Sequence, residues 1–130
     1  MSDLAGKALI VDDDRLVCKI IAKILGQRGL ETIIAENGSD ANVAIIMESE
    51  RLVLAVIDLV LPNGITGWDL IDHLHGNTAT ARIPIVVLTG AGISGDEAAR
   101  LHEKTNAIVR KKDFNIERFD QVLDRLLGGR

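Results

Sequence analysis

The sequence predicts an α/β domain in which five parallel strands form one doubly wound sheet with helices on both of its faces. Short, almost wholly apolar runs alternate five times with longer stretches whose apolar residues recur at helical spacing. Strands that are buried on both faces have this continuous apolar character. The chain has 130 residues, the length of one domain. We therefore expect residues 1–130 to form a single domain built from five strand–helix units.

The first unit begins with the predicted strand Lys7–Val11, which is followed by three aspartates. Asp14 is expected to cap the next helix, and Gly26 or Gly29 can end it. Cys18 lies in this helical pattern and is expected to be a buried, unreactive thiol. The apolar residues of the helix face are Leu16, Val17, Ile20, Ile21, Ile24 and Leu25.

The second unit has its strand at Glu31–Ala35. Ser39 or Asp40 can cap the helix that follows, which is expected to run to about Ser49. The side chains of this helix that are expected to point into the core are Val43, Ile46 and Met47.

The third unit has its strand at Leu52–Ile57, directly before Asp58. A loop with turn residues around Pro62 leads from there to a helix near Gly67–His75. Right-handed crossovers leave few topologies for such units. The order 2-1-3-4-5 is favoured because it places strands 1 and 3 beside the switch point of the sheet. This is the flavodoxin-like arrangement.

The strands of the last two units are predicted at Ile85–Leu88 and Ala107–Val109. Ser94 or Asp96 can cap the fourth helix, which ends near Lys104, and the fifth helix begins near Asn115. The residues that the fifth helix is expected to bury are Phe119, Val122, Leu123, Leu126 and Leu127.

Composition excludes several classes of function. Aromatic residues make up 2% of the chain, so the stacking platforms of single-strand nucleic-acid binders are not expected. The net charge of -4 argues against nucleic-acid binding in general. The N-terminus lacks the apolar segment of a signal peptide, and no run approaches the ~18 apolar residues of a membrane span. We expect a soluble, cytoplasmic protein that binds neither membrane nor nucleic acid.

Acidic residues follow two neighbouring strands of the predicted sheet. Asp12 and Asp13 follow the first strand, and Asp58 follows the third. The carboxyl ends of parallel strands lie at one edge of the sheet, so these side chains should lie together. Carboxylate oxygens are ligands that hard divalent cations take in proteins. The sequence therefore predicts a site for Mg²⁺, or for Mn²⁺, at this edge.

Asp58, Thr89 and one of two lysines suggest that the same edge accepts a phosphoryl group. Asp58 stands in an apolar context, where a charge needs a partner or a function. Carboxylates of this kind can act as nucleophiles that form aspartyl phosphates. Thr89 could donate a hydrogen bond to a phosphoryl oxygen. The ammonium of Lys111 or Lys112 could face both Asp13 and that oxygen and stabilise charge there.

At these residues the chain resembles the receiver domains of two-component response regulators. The matching positions are Val11-Asp12-Asp13, Asp58 with Pro62, Thr89-Gly90 and Lys111. The resemblance implies that Asp58 is the phosphoacceptor, that Asp13 is a direct Mg²⁺ ligand and that Asp12 is its acidic neighbour in the metal site. It also implies that the backbone carbonyl of Val60 is a metal ligand and that Thr89 and Lys111 contact the phosphoryl group.

The resemblance also implies partners. The phosphodonor would be a sensor histidine kinase or a histidine phosphotransfer protein. A downstream effector would contact the face formed by the fourth helix, the fifth strand and the fifth helix, and phosphorylation could produce a dimer. Catalysis would be limited to the chain's own phosphorylation and dephosphorylation, so the chain is not expected to be an enzyme.

The chain departs from the family pattern in the loop after Pro62, which is one residue longer than usual, and at the fifth strand. Lys111 is followed by Lys112 and not by proline, which leaves either lysine open as the site lysine; alternation along the fifth strand would point the two in opposite directions. Ile108 replaces the aromatic residue that often assists switching. Val60 and Ala91 flank the path of the attacking water in receivers, and neither side chain can orient it. Slow hydrolysis of the phosphoryl group is expected.

Three other functions are less well supported. A phosphatase of the haloacid dehalogenase type needs a second aspartate two residues after the nucleophile, where this chain has Val60. A flavodoxin-like cofactor carrier needs a phosphate-binding loop after the first strand, and three aspartates there would repel phosphate. A degenerate receiver that only binds proteins would not be expected to keep Asp13, Asp58, Thr89 and Lys111.

Overall fold

The computed structural model describes residues 6–90 and 92–128. The strands are β1 (Lys7–Val11), β2 (Glu31–Ala35), β3 (Leu52–Asp58), β4 (Ile85–Thr89) and β5 (Ala107–Arg110). The helices are α1 (Arg15–Gln27), α2 (Gly38–Glu48), α3 (Gly67–Gly76), α4 (Gly95–Lys104) and α5 (Ile116–Leu127), with a short 3₁₀ turn at Lys111–Asp113. Within the described ranges, every helix is too short or too polar to cross a bilayer.

All five strands pair in parallel in the order β2-β1-β3-β4-β5, which confirms the predicted topology. Three strands are one residue longer than predicted, ending at Asp58, Thr89 and Arg110. The ladder pairs Asp58 with Leu88, and it pairs Thr89 with Arg110. Residues with candidate functions are therefore held by strand pairing at the carboxyl edge of the sheet.

The core has two layers because successive strand residues point to opposite faces of the sheet. Leu9 and Val11 of β1 pack on the face that α2, α3 and α4 cover. Ala8 and Ile10 pack on the face that α1 and α5 cover. Both faces are buried along β1, β3 and β4, which explains the continuous apolar runs in the sequence.

Helix α1 begins and packs largely as expected. The Asp14 carboxylate caps it by accepting hydrogen bonds from the N–H groups of Leu16 and Val17. Leu16 itself is exposed, contrary to its expected place on the inner face. Cys18 is buried as predicted, and burial raises the pKa of its thiol to about 11, which keeps the sulfur protonated.

The later helices differ from expectation in detail. Ser94 caps α4 through a capping box with Glu97, so Asp96 is not the cap. Helix α5 starts after Asn115 and buries Phe119 and Leu123 fully. The other apolar residues of α5, which are only partly buried, are Val122, Leu126 and Leu127.

The prediction for α2 was wrong in two respects. Asn37 caps the helix by accepting from the N–H of Asp40 at 2.8 Å, so neither Ser39 nor Asp40 is the cap. The residues that α2 buries are Gly38, Ala41 and Ile45. The residues that were expected inside and are in fact exposed are Val43, Ile46 and Met47. Gly38 allows a close approach, since a Cβ there would lie 2.4 Å from Cγ2 of Ile65.

Candidate functional site

Three carboxylates meet at the carboxyl edge of the sheet, as predicted. One carboxylate oxygen from each of Asp12, Asp13 and Asp58 lies within 4.8 Å of the others. Asp12, directly after β1, is completely buried, and Asp58, the last residue of β3, is almost completely buried. Asp13 is exposed. The cluster can bind a metal ion, because closely spaced carboxylates repel one another and a cation relieves that repulsion.

Lys111 lies between the two buried carboxylates. Its Nζ is 2.8 Å from Oδ2 of Asp12 and 2.9 Å from Oδ2 of Asp58. The ammonium therefore contacts Asp12 and Asp58, and not Asp13 as the sequence suggested. Burial alone would lower the pKa of Lys111, but hydrogen bonds to the two carboxylates raise it to about 12. Lys111 is accordingly a fixed positive charge at neutral pH.

Lys111 and Lys112 point in different directions because both lie in the 3₁₀ turn, and not because residues alternate along a strand. Strand β5 ends at Arg110, and Lys111 begins the turn. Successive side chains in a 3₁₀ turn diverge by about 120°, so only one of them can face the carboxylates. Lys112 is exposed and lies beside Thr89 and Gly90. The geometry thus brings Lys111, and not Lys112, to the acidic cluster.

Asp12 has the donor character that a hard cation requires. Its Oδ1 accepts from the N–H of Asp14 at 2.9 Å. Lys111 Nζ donates to the same oxygen at 3.0 Å and lies 2.8 Å from the buried Oδ2, which has no other partner among the described residues. Burial raises the pKa of Asp12, and the bond to Lys111 offsets only part of that rise. With Asp13 and Asp58, Asp12 forms a set of carboxylate oxygens of the kind that hard divalent cations take as ligands.

The loop after Asp58 is held in a tight turn. Oδ1 of Asp58 accepts from the N–H of Val60 at 3.1 Å, and the N–H of Gly67 donates to the carbonyl of Leu59 at 3.0 Å. A Cβ at Gly67 would lie 2.4 Å from the Asp58 carbonyl oxygen and 2.7 Å from Cα of Leu59. The start of α3 therefore rests directly on the backbone of the candidate acceptor.

Thr89 and Gly90 border an open space beside the carboxylates. Thr89 is buried, with 4% of its surface exposed, at the end of β4. A Cβ at Gly90 would meet no side chain nearer than Cδ of Lys111 at 3.9 Å, so the site has room for another group. A cavity of about 300 Å³ opens next to Thr89, between the loops that follow β3 and β4. Ala91, which the family resemblance places near the attacking water, lies outside the described residues.

Two contacts that the sequence analysis did not predict join α3 to α4 beside this cavity. The guanidinium of Arg100 lies 4.5 Å from the ring centroid of Trp68. One turn further along both helices, Nζ of Lys104 lies 3.3 Å from Oδ1 of Asp72. Trp68 and Asp72 are four residues apart on α3, and Arg100 and Lys104 are four residues apart on α4. This matched spacing is the one signal in the sequence that could have suggested the two contacts.

Comparison with known proteins gives a consistent result. The model of the family described as "Response regulator receiver domain" matches residues 8–124. The phosphate regulon transcriptional regulatory protein PhoB of Pseudomonas aeruginosa is 37% identical over 90 residues, which cover 68% of this chain and 38% of that protein. The polar-differentiation response regulator DivK of Brucella anthropi is 26% identical over 92% of this chain and 94% of its own length.

A solved structure shows the same fold. The chemotaxis protein CheY4 of Vibrio cholerae superposes with a TM-score of 0.80 at 21% identity, over 95% of this chain and 99% of that one. The chain spans about two fifths of the PhoB relative's length, and it matches the family model over nearly all of its own. It belongs to the response regulator receiver domains, the phosphorylation-dependent signalling modules of two-component systems.

Proposed function

We propose that this chain is a switch that accepts a phosphoryl group on Asp58, with Mg²⁺, from a histidine kinase or a histidine phosphotransfer protein. The observation that carries the proposal is the position of the Asp58 carboxylate. Its Oδ2 lies 2.9 Å from Nζ of Lys111, and its Oδ1 accepts from the Val60 N–H. A group transferred to this carboxylate would arrive beside a fixed ammonium and two further carboxylates.

Asp58 would supply the nucleophile. One of its carboxylate oxygens forms a bond to phosphorus while the bond from phosphorus to the donor's leaving group breaks, and the leaving group takes its proton from solvent. Oδ2 must release Lys111 if it is the attacking oxygen. The ammonium then lies next to the transferred group and balances its negative charge. The Thr89 hydroxyl would donate a hydrogen bond to a phosphoryl oxygen.

Asp12, Asp13, Asp58 and the Val60 backbone carbonyl would hold Mg²⁺, with Mn²⁺ as an alternative. When bound, the cation would neutralise charge on the phosphoryl oxygens during transfer. Asp13 is the member of the set best placed as a direct ligand, because it is exposed and is not paired with Lys111. Asp12 already shares its oxygens between Lys111 and the backbone of Asp14.

The proposal extends to partners and location. The effector would contact the face formed by α4, β5 and α5, and phosphorylation would favour a dimer. The exchange would take place in the cytoplasm. The match to DivK over 92% of this chain supports the proposal that residues 1–130 form one domain.

The test is incubation with acetyl phosphate and Mg²⁺, followed by intact mass measurement. We expect one base-labile phosphoryl group on the wild-type chain and none on Asp58→Asn. The control is Asp14→Asn, which removes a nearby carboxylate but keeps an asparagine that can cap α1. Unchanged labelling of Asp58→Asn, or loss of labelling in the control alone, would contradict the assignment. Chelation of the metal should suppress the label.

A second expectation concerns the lifetime of the phosphoryl group. The side chain of Val60 is exposed next to Asp58 and cannot bind or orient water. We expect a double variant, Val60→Asn with Ala91→Glu, to lose the label several-fold faster than the wild type once the donor is removed. The measurement is a time course of intact mass. Equal decay in the two proteins would show that these positions do not limit hydrolysis.

A further inference from the structure

The outer face of α2 carries an apolar stripe with no contact in the described structure that buries it. Val43, Ile46 and Met47 are 57%, 63% and 73% exposed, respectively. Their spacing of three and four residues places them side by side on one face of the helix. The opposite face already supplies Ala41 and Ile45 to the core. Apolar surface collected in one patch and left in water is typical of an interaction site.

The segment of sequence that contains this stripe is acidic. Between Gly29 and Glu50 the sequence contains five acidic residues and no lysine, arginine or histidine. Basic residues from outside the segment pair with three of the acids, in the ion pairs Lys7–Glu48, Arg15–Glu36 and Arg51–Glu31. The other two, Asp40 and Glu50, are exposed and form no ion pair among the described residues. They stand three residues before Val43 and three residues after Met47.

We propose that the outer face of α2 binds an amphipathic helix of a protein partner. The apolar side of that helix would cover Val43, Ile46 and Met47, and lysines or arginines at its two ends would pair with Asp40 and Glu50. The stretch of α2 from Asp40 to its last residue, Glu48, is roughly 12 Å long at the rise of an α-helix, which suits about two turns of a partner helix. Glu50 lies in the turn just beyond the helix. This proposal concerns a face separate from the acidic cluster and does not depend on phosphorylation.

The same charges disfavour the two other occupants of such a face. In a two-fold symmetric pairing with a second copy, each partner presents the same acidic patch, and antiparallel α2 helices would bring Asp40 of one copy near Glu50 of the other. An anionic lipid surface would be repelled by the same two carboxylates. A basic partner gains from both the apolar stripe and the unpaired charges.

The probe for this proposal is a synthetic peptide helix with leucines along one face and lysines at both ends. Binding to the isotope-labelled chain is measured by calorimetry and by NMR amide shifts. We expect shifts concentrated on α2 and affinity at least about tenfold weaker for the triple variant Val43→Ser, Ile46→Ser, Met47→Ser. The double variant Asp40→Asn, Glu50→Gln should bind more weakly, and added salt should affect it less than the wild type. A peptide with glutamates in place of lysines should not bind.

The matched control is Leu16→Ser, which removes a similarly exposed apolar side chain (68%) from α1. This variant should bind the peptide as the wild type does. Wild-type affinity in the triple variant, equal binding of the glutamate peptide, or shifts centred away from α2 would overturn the proposal. The proposal would also be overturned if the wild type formed a dimer in sedimentation equilibrium, or bound phosphatidylglycerol vesicles, and the triple variant did not. If the triple variant does not fold, the charge variant, whose apolar stripe is intact, decides the question.

Discussion

Replacing Gly67 with alanine should lower the free energy of unfolding by about 3 kcal/mol. The new Cβ would lie 2.4 Å from the carbonyl oxygen of Asp58 and 2.7 Å from Cα of Leu59. Both are backbone atoms of β3 and the loop that follows it, so neither can rotate away as a side chain could. Either α3 must shift from the sheet, or the end of β3 must move with the acidic cluster.

Gly76→Ala is the control for this prediction, because Gly76 belongs to the same helix and a Cβ there would meet nothing within 4 Å. We expect a change within about 1 kcal/mol, toward higher stability if anything, since alanine favours the helix. Urea unfolding followed by circular dichroism measures both variants. Equal midpoints for the two would mean that the backbone at Gly67 adjusts without loss.

Replacing Lys111 with methionine should lower the free energy of unfolding by about 3 kcal/mol at pH 8. Methionine keeps much of the length and apolar stem of lysine but leaves Asp12 and Asp58 without their shared cation. Asp12 is completely buried, so its charge has no access to solvent. Lys112→Met is the matched control and should be nearly neutral, because Lys112 contacts neither carboxylate.

The effect of Lys111→Met should depend on pH in a defined direction. Burial already raises the pKa of Asp12, and removal of Lys111 takes away a hydrogen bond that lowers it. A carboxyl whose folded pKa is raised binds its proton more tightly in the folded state. The variant therefore regains stability as pH falls. We expect its stability deficit relative to the wild type to be smaller at pH 5 than at pH 8.

Lys111 of the wild type adds no pH dependence to the free energy of unfolding between pH 5 and pH 8. Its pKa is raised from 10.5 to about 12, so its stabilisation is fully present below pH 10.5 and is lost only as pH rises through 12. Unfolding curves at pH 5 and pH 8 for the two lysine variants and the wild type are sufficient. A deficit that is the same at both values would show that Asp12 stays charged without Lys111.

The strands and the site could be predicted because a buried parallel strand has few alternatives. An apolar run with an aspartate at its end specifies both the strand and the edge that the aspartate occupies, as for Asp58. Helix α2 could not be predicted in the same way, because it is apolar on two faces and periodicity does not distinguish them. Its orientation depends on small residues, Gly38 and Ala41, that allow close contact with the rest of the core.

The lysine geometry was beyond sequence reasoning for a different reason. The sequence predicted a cation near the carboxylates. It did not predict that β5 ends at Arg110 and that a 3₁₀ turn begins at Lys111, because no residue pattern indicates that boundary. The contact with Asp12 and Asp58 depends on that one-residue boundary. Asn37 illustrates the same limit, since an extended residue one position before the helix took the capping role from Ser39 and Asp40.

The contact between Trp68 and Arg100 has an optical consequence. Trp68 is the only tryptophan in the chain. Its indole forms part of the wall of the cavity beside Thr89 and lies under a guanidinium from α4. The fluorescence emission of an indole depends on nearby charge and on access to water. A shift of α4 relative to α3 therefore changes the fluorescence of Trp68. The chain thus contains an intrinsic fluorophore at the junction between the candidate phosphorylation site and the helix that leads away from it.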